Sequence, residues 1–266
     1  MIEITDPSDP RIAPFVDLRK ARSVSASKAN DDYFIAEGKL VVKRLIESDY
    51  QVDSLLVQSG KEQEFERLVP NTTPVYSISA ELLKSIVGFD FHRGVLACAS
   101  RRPLQTTQDF LQGDCGTLVL GLLGISDPEN LGGMLRTAAA LGVNQILLGQ
   151  NTIDPFSRRV IRVSMATALK HRFYQLEQPI ANLTSIQVSG VQIVASTLEQ
   201  TATPLSEIDH RKRPTVLLIG NEANGLDAAV QQMADIQVRV PMKQSVDSLN
   251  AASAAAILMY ELREGI

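Results

Sequence analysis

The side chains of this chain best suited to chemistry follow two short apolar runs near its end. The run at 215–220, TVLLIG, precedes a loop (221–225) that contains two asparagines and a glutamate. The run at 236–240, IQVRV, precedes a second polar loop (241–250), which ends in SLN before an Ala-rich stretch. Amide, carboxylate and hydroxyl groups can orient a bound molecule through hydrogen bonds. The two loops form one candidate site if the elements before them end side by side.

The elements that must position these loops are predicted to be parallel strands. Short β-branched apolar runs are typical of strands that are buried on both faces. Pro241 cannot donate to a ladder and ends the second strand, and Asn250 stands where it would cap the Ala-rich helix. The carboxyl ends of parallel strands meet at one edge of an open α/β sheet, where ligands bind. The sequence therefore predicts a ligand site at this edge.

A third candidate lies upstream, in the segment 127–143, DPENLGGMLRTAAALGV. This segment follows another predicted buried strand at 117–124, TLVLGLLG. Arg136 is the only charged residue in the predicted helix LGGMLRTAAALG, whose other side chains are small or apolar. The helix begins near Asn130, so both residues are expected at the same edge of the sheet.

These three stretches together resemble the sequence motifs of the SpoU (TrmH) family of RNA methyltransferases. One motif alone is a weak signal, but three in the right order, each after a predicted strand, are specific. One position departs from the pattern, because Gln244 stands where the family usually has glycine. The pattern N-x-G-x-x-x-R is met by Asn130, Gly132 and Arg136, the pattern G-x-E-x-x-G by Gly220, Glu222 and Gly225, and the pattern V-P-M followed by S-L-N by Val240, Pro241, Met242, Ser248, Leu249 and Asn250.

The resemblance implies an enzyme that uses S-adenosyl-L-methionine to methylate a ribose 2′-hydroxyl of RNA. Glycines cost stability inside a helix, so we expect another helix or the RNA to approach closely at Gly132 and Gly133. The cofactor contacts implied are Gly220, Val240 and Leu249, joined by Asn221, Met242 and Thr197, and the catalytic residues are Arg136, Asn130, Glu222, Ser248 and Asn250.

Arg136 is expected to act on the target hydroxyl, as it does in the family. A guanidinium is almost always charged, so it either stabilises the developing alkoxide or acts as a base beside an RNA phosphate. Asn130 is expected to orient Arg136 or an RNA phosphate, and Glu222 to anchor loop amides. Ser248 and Asn250 are expected to hydrogen-bond the ribose or to brace the knot that the family forms, and for Asn250 simple helix capping stays open.

Strand and helix patterns alternate along the chain and predict an α/β fold with two domains. Residues 1–102 are predicted to form a small α/β/α RNA substrate-binding domain, 103–114 a linker, and 115–266 a methyltransferase domain with a parallel sheet. The resemblance adds a C-terminal trefoil knot and a homodimer that pairs through helices at the knot. The basic cluster at 19–28 is a candidate RNA-contacting arm or a solvated helix face. The basic set at 158–170 is a further candidate RNA contact.

Three other functions stay open beside ribosomal RNA methylation, which the separate N-terminal domain favours. The substrate could be transfer RNA, or the chain could be a non-catalytic RNA-binding protein that keeps the fold. It could also methylate a base, although the base methyltransferases of the knotted superfamily lack the N-x-G-x-x-x-R pattern.

Composition limits the remaining possibilities. The 266 residues carry a net charge of −4, which disfavours nucleic-acid binding only weakly, because a local basic patch can act inside an acidic protein. No apolar run is long enough to span a bilayer, the acidic start is unlike a signal peptide, and two cysteines, predicted to be reduced, point to the cytoplasm. Neither GxGxxG nor a Walker A motif occurs, and three scattered histidines disfavour a metal site.

Overall fold

The computed structural model describes residues 1–18, 32–89, 91–208, 214–243 and 247–263, and it confirms an α/β fold built on two sheets. The strands are β1 (Ile2–Ile4), β2 (Tyr33–Glu37), β3 (Val52–Gln58), β4 (Val75–Ile78), β5 (Val95–Ser100), β6 (Gln105–Thr106), β7 (Leu118–Leu122), β8 (Gln145–Leu148), β9 (Arg172–Gln175), β10 (Gln192–Ser196), β11 (Thr203–Pro204), β12 (Thr215–Ile219) and β13 (Ile236–Arg239). The helices are α1 (Lys39–Ile46), α2 (Glu62–Glu66), α3 (Ala80–Val87), α4 (Thr107–Gln112), α5 (Pro128–Ala140), α6 (Arg158–Val163), α7 (Pro179–Val188), α8 (Ala228–Met233) and α9 (Ala251–Leu262).

The first sheet has the order β1-β4-β3-β5-β2 and, with α1 to α3, forms what we call the N-terminal part. Strands β1, β4 and β3 run parallel, whereas β5 pairs antiparallel with β3 and β2. Helix α3 begins as predicted, because the hydroxyl of Ser79 accepts a hydrogen bond from the N–H of Leu82 at 3.2 Å. The basic cluster predicted at 19–28 lies outside the described residues.

The second sheet has the order β11-β13-β10-β12-β7-β8-β9-β6 and, with α4 to α9, forms the C-terminal part. Its strand pairs are all parallel, as predicted. All five residues of β12 are buried between two neighbouring strands, which explains its continuous apolar sequence. Since β10 alone separates β12 from β13, the loops after these two strands open at the same sheet edge. The predicted knot stays a prediction.

The segment 103–114, predicted as a linker, contains regular structure. Strand β6 pairs with β9 at the edge of the second sheet. Helix α4 starts with a capping box, in which Thr106 and Asp109 exchange hydrogen bonds, and it buries Phe110 against Tyr174. The segment therefore packs on the C-terminal part. A two-residue strand and a six-residue helix are too short for periodicity to reveal them.

The two parts of the molecule share an apolar core. Phe34 and Tyr50 of the N-terminal part pack against Phe156 of the C-terminal part, with ring centroids 5.5 and 5.8 Å apart. Beside them Arg101 donates to both carboxylate oxygens of Asp154, at 2.8 and 2.6 Å, and both side chains are about nine-tenths buried. A continuous core and a buried ion pair thus hold the two parts together.

Candidate active site

A cavity of about 400 Å³ lies at the carboxyl edge of the second sheet, among the loops that follow β10, β12 and β13. This volume lies in the range of small-molecule sites, roughly 300–1,000 Å³. Leu198 and Glu199 also line it but were not predicted, because Thr197 was the one residue of this loop in the predicted cofactor set. The end of the predicted strand VQIVAS could have identified the whole loop as part of the site. The cavity is lined by all six predicted cofactor residues, Thr197, Gly220, Asn221, Val240, Met242 and Leu249, and by Glu222 and Ser248 of the predicted catalytic set.

The loop after β12 is closed on itself. The N–H of Asn221 donates to the carbonyl of Gly225 at 3.0 Å, and the N–H of Gly225 donates back at 2.9 Å. A side chain on Gly220 would bring its Cβ to 2.2 Å from the carbonyl carbon of Gly225, and Gly225 has a φ of 68°. The two glycines of this motif are therefore required by the closure of the loop itself.

Glu222 ties this loop to the start of α5. Its carboxylate accepts hydrogen bonds from the Asn130 side chain at 3.1 Å, from the N–H of Asp127 at 3.2 Å and from the N–H and hydroxyl of Ser126 at 3.4 Å. The predicted anchoring of loop amides by Glu222 is confirmed. Burial raises the pKa of the Glu222 carboxyl, but the hydrogen bonds from Asn130 and from backbone N–H groups outweigh it, so this pKa lies below its usual value.

Asn250 joins the third motif to the same network. Its Nδ2 donates to Oδ1 of Asn130 at 2.8 Å, while its Oδ1 accepts from the N–H groups of Ala252 and Ser253 at 2.9 and 3.2 Å. Asn250 is thus the N-cap of α9 and a network residue at once, because the two ends of its amide serve different partners. A chain of side chains from Asn250 through Asn130 to Glu222 connects all three motifs.

Arg136 lies six residues, about 1.7 turns, after Asn130 on α5, with its side chain exposed to solvent. Within the described part of the chain it has no hydrogen-bonding or ion-pair partner, and it does not line the cavity. The prediction that Asn130 orients Arg136 is not supported, because the amide of Asn130 is occupied by Glu222 and Asn250. Arg136 is thus an exposed guanidinium on the helix that carries Asn130, without a partner among the described residues.

The two glycines of α5 let other helices approach it, which was one of the predicted alternatives. A Cβ on Gly132 would lie 2.6 Å from the Cβ of Val163 at the end of α6. A Cβ on Gly133 would lie 3.4 Å from the Cβ of Ala252 in α9. On the next turn, Nε2 of the buried His171 donates to the carbonyl of Leu135 at 2.9 Å. Helix α5 is therefore fixed by neighbours on several sides of the turn that carries Arg136.

The basic cluster at 158–170 is largely paired. Arg159 contacts Glu129 at 2.8 Å. Arg158 and Arg162 both lie against Glu37, which is almost fully buried at the end of β2. These pairings were not predicted, because the acidic partners of the three arginines lie 30, 121 and 125 positions away along the chain and cannot be read from spacing.

The remaining candidate groups lie away from this site. Cys98 is buried, which raises the pKa of its thiol to about 12, and burial also raises the pKa of the Cys115 thiol. Both thiols are free. Across the described ranges no three His, Cys, Asp or Glu side chains gather as metal ligands, and no helix in those ranges is long and apolar enough to cross a bilayer.

Comparisons with known proteins match both the sequence and the fold. The chain is 34% identical over 264 residues to an uncharacterized tRNA/rRNA methyltransferase of Mycobacterium tuberculosis, covering 97% of this chain and 90% of that protein. It is 28% identical to the 23S rRNA (guanosine-2′-O-)-methyltransferase RlmB of Acinetobacter baylyi, covering 83% and 92% of the two chains. The crystal structure of an AdoMet-bound rRNA methyltransferase from Sinorhizobium meliloti superposes with a TM-score of 0.83 at 26% identity, covering 98% and 96%.

The family model of the SpoU rRNA methylases matches residues 117–260. This range contains the three motifs, the hydrogen-bond network that connects them and every residue that lines the cavity. It begins with the buried strand β7 and ends within α9. The chain therefore belongs to the SpoU rRNA methylase family.

Proposed function

We propose that this protein transfers a methyl group from S-adenosyl-L-methionine to a ribose 2′-hydroxyl of RNA. The observation that carries the proposal is the hydrogen-bond chain Asn250–Asn130–Glu222, which draws three separate motifs together at the rim of one cavity. A non-catalytic RNA-binding protein has no need of this network together with an exposed arginine that has no partner among the described residues. Membership of the family and the AdoMet-bound Sinorhizobium relative support the same conclusion.

The cavity fits the cofactor in size and in chemistry. Its polar groups include those of the closed loop after Gly220, such as Asn221, and its apolar groups include Val240 and Leu249. Tight loops present backbone N–H and carbonyl groups that suit an adenine ring, and the aliphatic side chains cover its faces. When bound, S-adenosyl-L-methionine supplies an electrophilic methyl group on sulfonium, so the protein must align the attacking oxygen with it.

We assign the activation of that oxygen to Arg136. A hydroxyl is a poor nucleophile until it loses its proton. The charged guanidinium stabilises the alkoxide that develops as this proton passes to solvent water. An RNA phosphate beside the target ribose accepts the remaining N–H groups of the guanidinium. Glu222 and Asn130 position the loop and the helix around this group, and Ser248 at the cavity wall binds the ribose.

Ribosomal RNA is the substrate that we favour over transfer RNA. RlmB of Acinetobacter baylyi, which matches over most of both chains, carries a 23S rRNA specificity in its name. We also propose that residues 1–102 serve as the RNA substrate-binding domain, and that the protein works in the cytoplasm, where reduced thiols and ribosomal RNA occur together. The 2′-hydroxyl, which distinguishes RNA from DNA, is the group that the site must reach.

We further propose a knotted C-terminal segment and a homodimer formed by α9. Ile257 and Tyr260 of α9 are 43% and 61% exposed, which is high for large apolar side chains on a helix otherwise rich in alanine. Small side chains such as Ala256 allow two helices to approach closely. Sedimentation of the wild type as a dimer and of Ile257→Asp as a monomer would support this assembly; a monomeric wild type would exclude it.

The test of the function is transfer of a tritiated methyl group to RNA from cells that lack this gene. Digestion of the product to nucleosides should give 2′-O-methylated ribose, and mass mapping should place it in ribosomal RNA. Label in a base would indicate a base methyltransferase, and label in transfer RNA would indicate the other substrate. A protein that binds RNA and cofactor but transfers no label would be the non-catalytic alternative.

A further inference from the structure

A buried carboxylate lies among three arginines where the two parts of the molecule meet. The Glu37 side chain is only 3% exposed. Nε of Arg93 lies 3.2 Å and Nη1 of Arg162 lies 3.7 Å from its Oε1, and Nη1 of Arg158 contacts its Oε2. Glu37 and Arg93 belong to the N-terminal part, whereas Arg158 and Arg162 lie on α6 of the C-terminal part. We call Glu37 and these three arginines the Glu37 cluster.

The side chains of the Glu37 cluster are held in place from more than one side. The guanidinium of Arg158 lies over the ring of Phe89, 4.5 Å from its centroid. Arg93 packs across Gly38, where a Cβ would come within 3.2 Å of its Cδ, and Gly38 has a φ of 94°. Groups fixed in this way lose little side-chain entropy when they bind a ligand.

The charges of the cluster do not balance. Three guanidinium groups face one carboxylate, which leaves two positive charges uncompensated among the residues that the structure describes. Arg159, the other arginine of α6, pairs with Glu129 and is not part of this excess. The side chains of Arg93, Arg158 and Arg162 remain 52%, 24% and 29% exposed, so N–H groups that Glu37 does not use face solvent. Fixed, solvent-facing guanidinium groups with excess positive charge suit the oxygens of a phosphate.

The cluster also lies next to the helix of the active site. Its helix α6 packs on α5 with the glycine at 132 between them, and α5 carries Arg136 three residues beyond the second glycine. An RNA strand held at the cluster is therefore one helix away from the proposed catalytic arginine.

We propose that Arg93, Arg158 and Arg162 bind the phosphodiester backbone of the substrate RNA, and that Glu37 is the residue that positions them. This inference rests on the proposed function, because it names the surface that delivers RNA to that site. The ligand is the backbone of an RNA strand, recognised by charge and not by base sequence.

The first test measures binding of the full-length protein to fluorescein-labelled single-stranded poly(U) over a range of KCl concentrations. Arg93→Ala should lower the slope of log affinity against log salt by about 0.7, the value for one lost phosphate contact on a single strand, and should weaken binding about fivefold near ~0.1 M salt. The matched control is Arg67→Ala, which removes an exposed arginine elsewhere in the N-terminal part and should leave the slope unchanged. If Arg93→Ala binds poly(U) with the same affinity and the same salt slope as the wild type, the proposal is overturned.

The second test addresses Glu37. Glu37→Gln adds one net positive charge, so charge attraction alone predicts tighter binding of poly(U). Loss of the positioning carboxylate predicts weaker binding at every salt concentration, which is the expected result. Tighter binding by folded Glu37→Gln would show that Glu37 does not position the arginines.

Methyl-transfer kinetics separate this inference from the proposed function. Arg93→Ala should raise KM for RNA about fivefold while kcat at saturating RNA stays within about twofold of wild type. If the wild type methylates no RNA but Arg93→Ala still lowers the salt slope, the proposed function fails and the phosphate site stands. If the wild type is active and Arg93→Ala matches it in KM and in slope, the phosphate site fails alone.

Discussion

At the scale of single residues, Arg136 stands out because its charge has no partner in the described part of the chain and its side chain is exposed. Arg136→Ala should reduce kcat about a hundredfold or more, the range for losing an electrostatic or acid–base group. Affinity for S-adenosyl-L-methionine should change less than about threefold and the melting temperature should barely move, since the side chain neither lines the cavity nor packs. The measurements are methyl transfer at saturating RNA and calorimetric cofactor binding.

Two further variants sharpen this prediction. Arg136→Lys should restore little activity, because an ammonium lacks the planar fork that contacts phosphate and hydroxyl together. Arg172→Ala removes another exposed arginine, at the start of β9, and should leave kcat unchanged. If Arg136→Ala unfolds or loses cofactor binding, while the molecules that still bind cofactor keep the wild-type kcat, then Arg136 is a structural residue and not a catalytic one.

Glu222 should give the stability of the protein a measurable dependence on pH. Its carboxyl has a pKa below the usual value in the folded state, so the folded protein binds fewer protons than the unfolded chain. Its stabilising contribution is therefore complete above the unfolded pKa, near about 4.3, and is lost as the pH falls through the lower folded pKa. The difference in the free energy of unfolding between wild type and Glu222→Gln, about 1 kcal/mol for a partly exposed group, should shrink from about pH 6 to about pH 3.

Urea denaturation at a series of pH values measures this difference. Other acidic groups titrate in the same range, but they are common to both proteins and cancel. If the difference in the free energy of unfolding between the two proteins stays constant or widens toward low pH, the hydrogen bonds of Glu222 do not depend on its charge.

The candidate site could be predicted from the sequence to an unequal degree. Strand ends followed by polar loops were enough to place Asn221, Glu222 and Asn250 at one edge, because parallel strands share their direction. The partner of Asn130 was not predictable in this way, since spacing gives no side-chain geometry. Glu37 was missed altogether, because its partners lie 56 to 125 positions further along the chain and only the folded molecule brings them together.

At the scale of elements, the neighbouring glycines of α5 give a matched pair of substitutions. Gly132→Ala places a Cβ 2.6 Å from that of Val163, an impossible contact that must push α6 away. It should destabilise the protein by about 1–3 kcal/mol, as overpacked cores do. Gly133→Ala meets Ala252 at 3.4 Å, an ordinary contact, and should be neutral or stabilise by up to about 1 kcal/mol through helix propensity. Urea unfolding of both variants measures the difference; equal effects would contradict the role of Gly132 at the α5–α6 contact.

Long apolar strands and capped helices were the elements that the sequence predicted well. Strand β12 and helix α3 appear where the pattern placed them, because burial on both faces and a serine cap leave strong signals. Strand β1 and strand β6, of three and two residues, were not predicted. Each depends on a partner strand far along the chain for its hydrogen bonds, so its own sequence carries little information.

At the scale of the whole molecule, the buried ion pair between Arg101 and Asp154 joins the two parts. Asp154→Asn leaves a buried guanidinium without its counter-charge and should lower the free energy of unfolding by about 3 kcal/mol. Because the two parts share a core, amides in β3 and β7 should lose protection from hydrogen exchange together in this variant. The control is Asp53→Asn. The half-exposed carboxylate of Asp53 accepts a hydrogen bond from Ser100 within the N-terminal part, so its loss should lower the free energy of unfolding by about 1 kcal/mol or less. Loss of protection in β7 alone would mean that the two parts unfold independently.

The position of β12 has a consequence for synthesis of the chain on the ribosome. This strand lies between β10 and β7, yet it follows both in sequence. Until residues 215–219 emerge, β7 and β10 have unpaired edges facing a gap, and such edges pair readily with other chains. The first four-fifths of the chain can thus collapse but cannot complete the second sheet. Emergence of this one strand closes the gap between β7 and β10, so pausing before it prolongs exposure to chaperones and aggregation.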